Sequence, residues 1–313
     1  MSFSISGMNR SRLVGLYIAC VFVGGALLAP WLYWLAQAAA PAFPRIAAYP
    51  FRRFVDRAVL IVALLGLWPV LRSLKIFSVR EAAGKPTAKE WKLLGTGFLL
   101  GLLTLGLVAA LVMIDGEHQL KTPLPLLDLV GKLPRIAFTA IAVALLEEVL
   151  FRGVLFGTLR KDMNWVAALI LSSSFYALVH FMDPRATLDH AVTWSSGLEQ
   201  LGRMMRGLTN LQAVVPTFLN LTLAGMLLGL AYERTGRLYC SVGLHAGWVF
   251  WLKSYGVVAR TAPGSALPEW STSRLADGWP ALLVLAATLV VFCQKFWPAR
   301  AEKEFPRGSM GAV

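Results

Sequence analysis

The sequence predicts an all-α fold, a polytopic membrane helix bundle with about eight transmembrane helices. Of its 313 residues 57% are hydrophobic and only 15% charged, and the mean hydropathy is +0.62. A soluble globular chain is nearer half apolar and a quarter charged. The apolar residues also occur in runs of roughly 20, the length that crosses a bilayer as a helix. These observations exclude a disordered protein and disfavour a soluble enzyme.

Each apolar stretch is expected to be helical, because lipid offers no partner to exposed backbone groups. The eight stretches lie near residues 13–36, 58–78, 93–114, 136–158, 164–183, 212–232, 238–258 and 279–297. The first is longer than the apolar core of a secretory signal peptide, so we expect a retained helix. We interpret residues 1–313 as a single membrane domain.

The charge balance is strongly basic, with 30 Lys and Arg against 17 Asp and Glu and a formal net charge of +13. The basic residues lie between apolar runs without aromatic interleaving, which favours membrane lipids as partners and argues against nucleic acid. An even number of spans places both termini on the same side of the membrane. That side carries 16 basic residues, against 13 on the other. The positive-inside rule then predicts cytoplasmic termini for a multi-pass integral membrane protein. The basic loops and the prokaryotic character of the sequence favour a bacterial inner membrane.

Two local patterns concern packing. The loop between the fifth and sixth spans carries apolar residues at helical spacing with arginines beside them, and this set is Leu198, Leu201, Met205 and Leu208 with Arg203 and Arg206. Such a helix either lies on the membrane surface or packs on the bundle, and both interpretations stay open. The GxxxG patterns Gly97–Gly101 and Gly225–Gly229 predict close helix approach.

The fourth span contains ionisable residues that are costly in lipid. Glu147 and Glu148 are adjacent, and Arg152 follows four residues after Glu148. An ionisable group at the bilayer centre costs roughly 2.5–3.5 kcal/mol on insertion scales. Residues four apart share a helix face, so Glu148 and Arg152 are predicted to form a buried pair. Glu147 points about 100° away and is left aimed into the bundle.

The chain has four histidines, and two of them fall in predicted spans. His118 and His190 lie in polar loops and are expected to be solvated. His180 lies late in the fifth span, and His245 lies within the seventh. Two histidines beside an intramembrane carboxylate pair form the polar constellation expected of a buried site.

Two kinds of chemistry fit these residues. A glutamate and a histidine can remove a proton from water, and a second histidine can stabilise the oxyanion of a tetrahedral intermediate. Alternatively, Zn²⁺ accepts His and Glu ligands, here Glu147, His180 and His245. The sequence lacks the HExxH motif of many metalloproteases. Spacing alone leaves both alternatives open, with no cofactor as the first expectation and zinc as the second.

At these residues the chain resembles the CPBP family of intramembrane proteases, which includes the type II CAAX prenyl endopeptidases and the bacteriocin-processing proteins. Glu147, Glu148 and Arg152 match the EExxxR motif, and His180 matches FxxxH with Tyr176 in the place of Phe. His245 matches the last motif. The resemblance covers residues 136–258, which we take as the catalytic core, with 1–135 and 259–313 as flanking helices and tails.

The resemblance implies an intramembrane endopeptidase that cuts a membrane-tethered or lipidated protein or peptide. It implies Glu147 as general base, His180 as its partner in water activation and His245 as oxyanion stabiliser, with Glu148 and Arg152 in support. Val249 stands where many members have Asn, and valine cannot donate a hydrogen bond to an oxyanion. Asn220 in the sixth span is a candidate replacement, and it fits an interhelical contact equally well.

Two other functions remain open at this stage. A non-catalytic binding, assembly or immunity factor of the same fold is favoured by Val249. A transporter or proton relay is the other alternative, because intramembrane carboxylates and histidines also mark ion paths. The lack of an inverted repeat argues against a transporter.

Overall fold

The computed structural model describes residues 10–74, 87–180, 188, 190–205, 211–262 and 275–296. Nearly all of these residues are helical, which confirms the predicted all-α membrane bundle. The helices are α1 (Arg10–Ala38), α2 (Pro44–Ala47), α3 (Phe51–Ser73), α4 (Ala88–Ile114), α5 (Leu126–Glu148), α6 (Gly157–Asp162), α7 (Trp165–His180), α8 (Ser196–Met205), α9 (Leu211–Thr235), α10 (Tyr239–Val258) and α11 (Trp279–Phe296). A π-helical segment, Val149–Phe156, joins α5 to α6, and two strands, β1 (His118–Leu120) and β2 (Ala259–Thr261), form an antiparallel ribbon.

Each predicted span coincides with a helix, and the chain is an integral membrane protein. Within the described part of the chain, five helical stretches are long and apolar enough to cross a membrane, namely Arg12–Ala38, Phe51–Ser73, Ala88–Ile114, Leu126–Asp162 and Val215–Thr235. Helices α7 and α11 are apolar but shorter, and α10 is not among the five. The number of crossings therefore stays a prediction. Residues 75–78, 181–183 and 297 of the predicted spans lie outside the described residues.

The chain divides into two compact units, and the single-domain interpretation stays a prediction. The first unit comprises Met1–Ser78, Gly157–Asn164 and Leu178–Val214. The second comprises Val79–Phe156, Trp165–Ala177 and Val215–Val313.

The first unit is built on the contact between α1 and α3. The hydroxyl of Tyr17 in α1 donates to the carbonyl of Ala63 in α3 at 2.7 Å. The aromatic ring of Tyr33 packs edge-on against Phe51 and Phe54. A cluster of buried apolar side chains lies between these helices and α8, and its members are Ala29, Phe51, Val55, Ala58 and Met204.

Helix α8 packs on α1 through a face that the sequence pattern did not predict. Gly197 lies against the carbonyl of Ala26, so closely that a Cβ would collide with it. Gln200 is also buried, whereas Leu198 and Met205 of the predicted apolar stripe are exposed. Helix α8 therefore packs on α1 through its small and polar residues, and the exposed Leu198 and Met205 leave the membrane-surface interpretation open. Arg206 and Leu208 lie outside the described residues.

In the second unit α4 and α10 cross with almost no side chain between them. Gly97 and Gly101 of α4 lie against the backbone of α10, as their GxxxG pattern predicts. Gly243 and Gly247 of α10 return the contact against the backbone of α4. A Cβ at any of these four positions would strike a backbone oxygen. This crossing fixes the part of α10 that carries His245.

Both ends of this helix pair are secured by side chains. Thr87 and Glu90 form a capping box at the start of α4, in which the Glu90 carboxylate accepts from the Thr87 amide at 2.9 Å. At the end of α10 the Lys121 amine donates to the carbonyls of Gly256 and Val257, at 3.0 and 2.7 Å. A cation at this position complements the helix dipole.

The ribbon corrects one prediction from the sequence. His118, expected to be solvated, is buried, and its Nδ1 lies 3.0 Å from the hydroxyl of Tyr255. The polar surroundings of His118 in the chain indicated a loop. Strand β1 instead pairs with β2, which joins segments about 140 residues apart and covers the histidine. His190 is exposed, as expected.

Candidate active site

The predicted pairing of Glu148 with Arg152 is confirmed. Arg152 Nη1 donates to Glu148 Oε1 at 2.9 Å, and both side chains are almost completely buried. Arg152 Nη2 donates to the carbonyl of Gly225 in α9 at 3.1 Å. The guanidinium therefore neutralises a buried carboxylate and ties the end of α5 to α9.

His245 contacts both glutamates. Its Nδ1 lies 3.0 Å from Glu148 Oε1, and its Nε2 lies 3.8 Å from Glu147 Oε2. An ionised carboxylate only accepts hydrogen bonds, so Nδ1 carries a proton and Nε2 is the nitrogen that faces Glu147. Glu148 thus holds a proton on Nδ1 and sets the orientation of the imidazole.

The two adjacent glutamates have different surroundings, as the helix geometry predicts. The side chain of Glu148 is fully buried, whereas that of Glu147 keeps 23% of its exposure. Glu147 is therefore the less buried of the two carboxylates, although its Oε2, which faces His245, is itself buried.

Tyr176 in α7 closes the other side of this cluster. Its ring lies at right angles to those of Phe151 and His245, with centroids 5.0 and 6.3 Å away. The guanidinium carbon of Arg152 lies 4.8 Å from the centroid of the Tyr176 ring. These contacts fix the ring in the second unit beside both charged residues of the buried pair.

Close packing of α7 on α9 supports this arrangement. A Cβ at Gly225 would lie 2.9 Å from the Cβ of Ser173, and one at Gly229 would strike Leu169. The GxxxG pattern of α9 therefore faces α7, as the sequence predicts. Without a side chain at Gly225, its carbonyl accepts the hydrogen bond from Arg152.

The widened turns after Glu148 were not predicted from the sequence. The chain is π-helical over Val149–Phe156, and Arg152 lies within this segment. Such insertions are rare and occur often at functional sites, because they change the direction of side chains within a helix. Hydrophobic periodicity gives no signal for a π-helix of this length.

The remaining predicted residues occupy different positions. His180 is the last residue of α7 and belongs to the first unit, so its role beside Glu147 stays a prediction. Val249 is half-buried in α10, one turn after His245. The amide nitrogen of Asn220 donates to the carbonyls of Ala276 and Gly278, at 3.2 and 2.8 Å. Asn220 thus holds α9 to the segment that precedes α11, and its role as an oxyanion donor stays a prediction.

The donor set gives no direct support to a metal site. Among the residues that the structure describes, no group of three or more His, Cys, Asp or Glu side chains is arranged to hold a metal ion. The Nδ1 of His245 is engaged with Glu148, which leaves only Nε2 for other chemistry. Zinc binding by Glu147, His180 and His245 stays a prediction.

The described cluster contains groups of the kind that enzymes use to move protons to and from water. They are a partly exposed carboxylate, an imidazole whose orientation is set by a buried ion pair, and an aromatic hydroxyl, all within one unit. A buried site of this kind strengthens electrostatic interactions because water is largely excluded.

Comparison with known proteins agrees with the motifs. Residues 129–251 match the family model described as type II CAAX prenyl endopeptidase Rce1-like. This segment contains both glutamates, Arg152, Tyr176 and the two histidines of the predicted site, and the match confirms the resemblance. No curated protein and no solved structure gives a significant match to the chain.

Proposed function

We propose that this chain, whose residues 129–251 match the type II CAAX prenyl endopeptidases, is an intramembrane endopeptidase that hydrolyses a peptide bond in a membrane-tethered or lipidated protein or peptide. One observation carries the proposal. A partly exposed glutamate, Glu147, lies beside His245, whose orientation is set by the buried pair of Glu148 and Arg152. Glu148 alone is enough to neutralise the charge of Arg152, so charge compensation does not account for Glu147.

The first step is addition of water to the scissile carbonyl. Glu147 accepts a proton from the water as its oxygen bonds to the carbonyl carbon, and the C=O π electrons move to the oxygen. His180 is proposed to hold the same water. His245 is proposed to act as the imidazolium, with a proton on each ring nitrogen, so that Nε2–H donates to the resulting oxyanion while Nδ1–H stays bound to Glu148.

The second step is collapse of the tetrahedral intermediate. The oxyanion re-forms the carbonyl, the C–N bond breaks, and Glu147 returns its proton to the leaving nitrogen. The products are a carboxylic acid and an amine, and the glutamate is again ionised. No covalent intermediate with the protein is formed, so the site needs no serine or cysteine nucleophile.

The setting of the reaction follows from the predicted topology. We place the protein in a bacterial inner membrane with cytoplasmic termini and anionic lipids at its basic loops. A lipid anchor would keep the substrate in the bilayer, where a site between helices can receive it.

A non-catalytic factor of the same fold is the second candidate, and the specific observation in its favour is Val249. Removal of one oxyanion donor costs about 2.7–4 kcal/mol of barrier in a well-studied hydrolase. A chain that lacks this donor without replacement would be a weak enzyme and could serve by binding its partner.

The test is cleavage of a panel of membrane-tethered and lipidated peptides by purified protein in detergent. Wild type is compared with Glu147→Gln, each with and without a strong zinc chelator. The proposal predicts cleavage by wild type that survives the chelator and is lost in the variant. The matched control is Glu199→Gln, which removes an exposed carboxylate in the first unit and leaves cleavage intact.

Each alternative gives a different result. Cleavage lost on chelation would indicate zinc at Glu147, His180 and His245. Cleavage retained by Glu147→Gln would exclude the glutamate-base mechanism. A wild-type protein that binds the peptides without cutting any of them would favour the non-catalytic factor.

A further inference from the structure

The proposed hydrolysis creates a negative oxygen, and the donors in the described site are nearly all engaged. Arg152 donates to Glu148 and to the carbonyl of Gly225. His245 uses Nδ1–H on Glu148, which leaves Nε2, the nitrogen that faces Glu147, to donate to the substrate. A single imidazole is a weak oxyanion site, because such sites commonly combine two or more donors.

The two other candidates for a second donor do not supply it. Val249 lies one turn after His245 but has an aliphatic side chain. Asn220 directs its amide nitrogen to the carbonyls of Ala276 and Gly278. Using that amide in catalysis would break two hydrogen bonds that hold α9 to the segment before α11.

Tyr176 has the required chemistry, and its ring lies against that of His245. Its phenol remains protonated at neutral pH and donates one O–H hydrogen bond. The side chain is 4% exposed, and its ring lies edge-to-face with that of His245 at 6.3 Å between centroids. The hydroxyl is carried by the same helix as His180, one turn before it.

We infer that the Tyr176 hydroxyl is the second oxyanion donor, acting beside His245 on the oxygen of the scissile carbonyl. This inference rests on the proposed function. When the carbonyl oxygen gains charge, the phenol O–H shortens its hydrogen bond to it, and no bond to Tyr176 forms or breaks. Tyr176 is then a catalytic residue of this chain rather than part of the packing alone.

Arg152 strengthens this donor through the ring. Its guanidinium carbon lies 4.8 Å from the Tyr176 ring centroid, within the range of a cation–π contact. A phenol that donates to an oxyanion gains negative charge on its ring, and a cation over the ring stabilises that charge. The buried pair of Arg152 and Glu148 thus supports both donors, one through Glu148 and His245 and the other through Tyr176.

The test is Tyr176→Phe, which keeps the ring and its contacts with Phe151, Arg152 and His245 and removes only the hydroxyl. The inference predicts that kcat falls about 10²–10³-fold, the loss typical of one oxyanion donor, while KM and the melting temperature stay unchanged. The control is Tyr33→Phe, which removes a hydroxyl from the ring cluster of the first unit and leaves kcat unchanged.

The outcomes separate this inference from the proposed function. If Tyr176→Phe retains the wild-type kcat while Glu147→Gln is inactive, the endopeptidase stands and the role of Tyr176 is refuted. A fall in kcat that is matched by a rise in KM or a loss of melting temperature would also refute it, because the hydroxyl would then act on binding or folding. If Glu147→Gln cleaves the peptide, both proposals fail.

Discussion

Glu148 is the residue on which the described site depends most. One of its oxygens accepts from both Arg152 and His245, at 2.9 and 3.0 Å, and its side chain has no exposure. Removing one member of a buried pair leaves the other charge without compensation in a medium of low polarity. The same substitution releases the imidazole from its fixed orientation. Stability and activity are therefore coupled at this residue.

We predict that Glu148→Gln lowers the free energy of unfolding by about 3–5 kcal/mol, the cost typical of breaking a buried ion pair. The measurement is thermal or denaturant unfolding in detergent. The matched control is Glu199→Gln, since Glu199 and Arg203 are also four residues apart in a helix but are partly exposed. Exposed pairs are screened by water and contribute little, so this control is expected to lose much less stability. Equal losses for the two variants would contradict the buried-pair account.

The sequence predicted the local part of this cluster and missed the long-range part. The spacing of Glu148 and Arg152 is a property of one helix, so the pair could be read from the chain. The contact of Glu148 with His245 joins residues 97 apart, and no local pattern indicates which nitrogen faces which carboxylate. The contact of Tyr176 with Arg152 is missed for the same reason.

At the scale of helices, the crossing of α4 and α10 determines where His245 lies. Four glycines allow the two backbones to touch, and one of them, Gly243, is two residues before the histidine. A Cβ at Gly243 would collide with the backbone of Leu94 and lie 3.0 Å from the amide nitrogen of Phe98. Backbone atoms cannot turn aside as a flexible side chain can, so the helices would have to separate.

We predict that Gly243→Ala destabilises the protein by at least about 1–3 kcal/mol, the usual cost of overpacking, and lowers cleavage by displacing His245. The control is Gly95→Ala in α4, where a Cβ would meet nothing within 4 Å. That variant is expected to gain up to about 1 kcal/mol because alanine loses less chain entropy in a helix. Unchanged melting of Gly243→Ala would contradict the tight crossing.

The start of α8 carries an exposed group of titratable side chains. His190 Nδ1 donates to the carbonyl of Ala191 and Nε2 to the carboxylate of Glu199, both at 2.8 Å. Arg203 also pairs with Glu199 at 3.0 Å. The Ala191 carbonyl and then Glu199 raise the pKa of His190 above 6.5. The hydrogen bond from His190, followed by that from Arg203, lowers the pKa of Glu199 below 4.5.

These shifts predict a maximum in the stability contribution of this pair between pH 4.5 and 6.5, the ordinary values of the two groups. Toward higher pH the contribution is lost as His190 deprotonates through its raised pKa. Toward lower pH it is lost as Glu199 is protonated through its lowered pKa. The measurement is the melting temperature against pH for wild type and His190→Ala. Identical pH profiles would contradict the pairing.

The helices were predicted well because long apolar runs have one stable arrangement in lipid. All eight predicted spans coincide with helices, and the fourth continues through the π-helical segment Val149–Phe156. Short sequence patterns predicted the structure less well than long apolar runs did. The buried face of α8 is made by Ser196, Gly197, Gln200 and Met204, of which only Met204 carries a hydrophobic signal. The three-residue strand at His118 gains its partner from a distant segment.

At the scale of the whole molecule, composition indicates an integral membrane protein, whereas a small set of residues carries the proposed chemistry. The high apolar content and the five long apolar helical stretches are properties of an integral membrane protein. They carry no information about catalysis. The proposed activity depends on the match over 129–251 and on a cluster within the second unit that holds one partly exposed and one buried carboxylate.

The central claim is that Glu147 activates the water that cuts the peptide bond. The most direct measurement is the cleavage rate of one lipidated peptide by Glu147→Gln and by wild type, with melting temperatures recorded for both. We expect the cleavage rate of Glu147→Gln to be lower than that of wild type by at least about 10²–10⁴-fold, the usual contribution of a general base. The melting temperature is expected to stay unchanged. A Glu147→Gln protein that is folded and cleaves at the wild-type rate would contradict it.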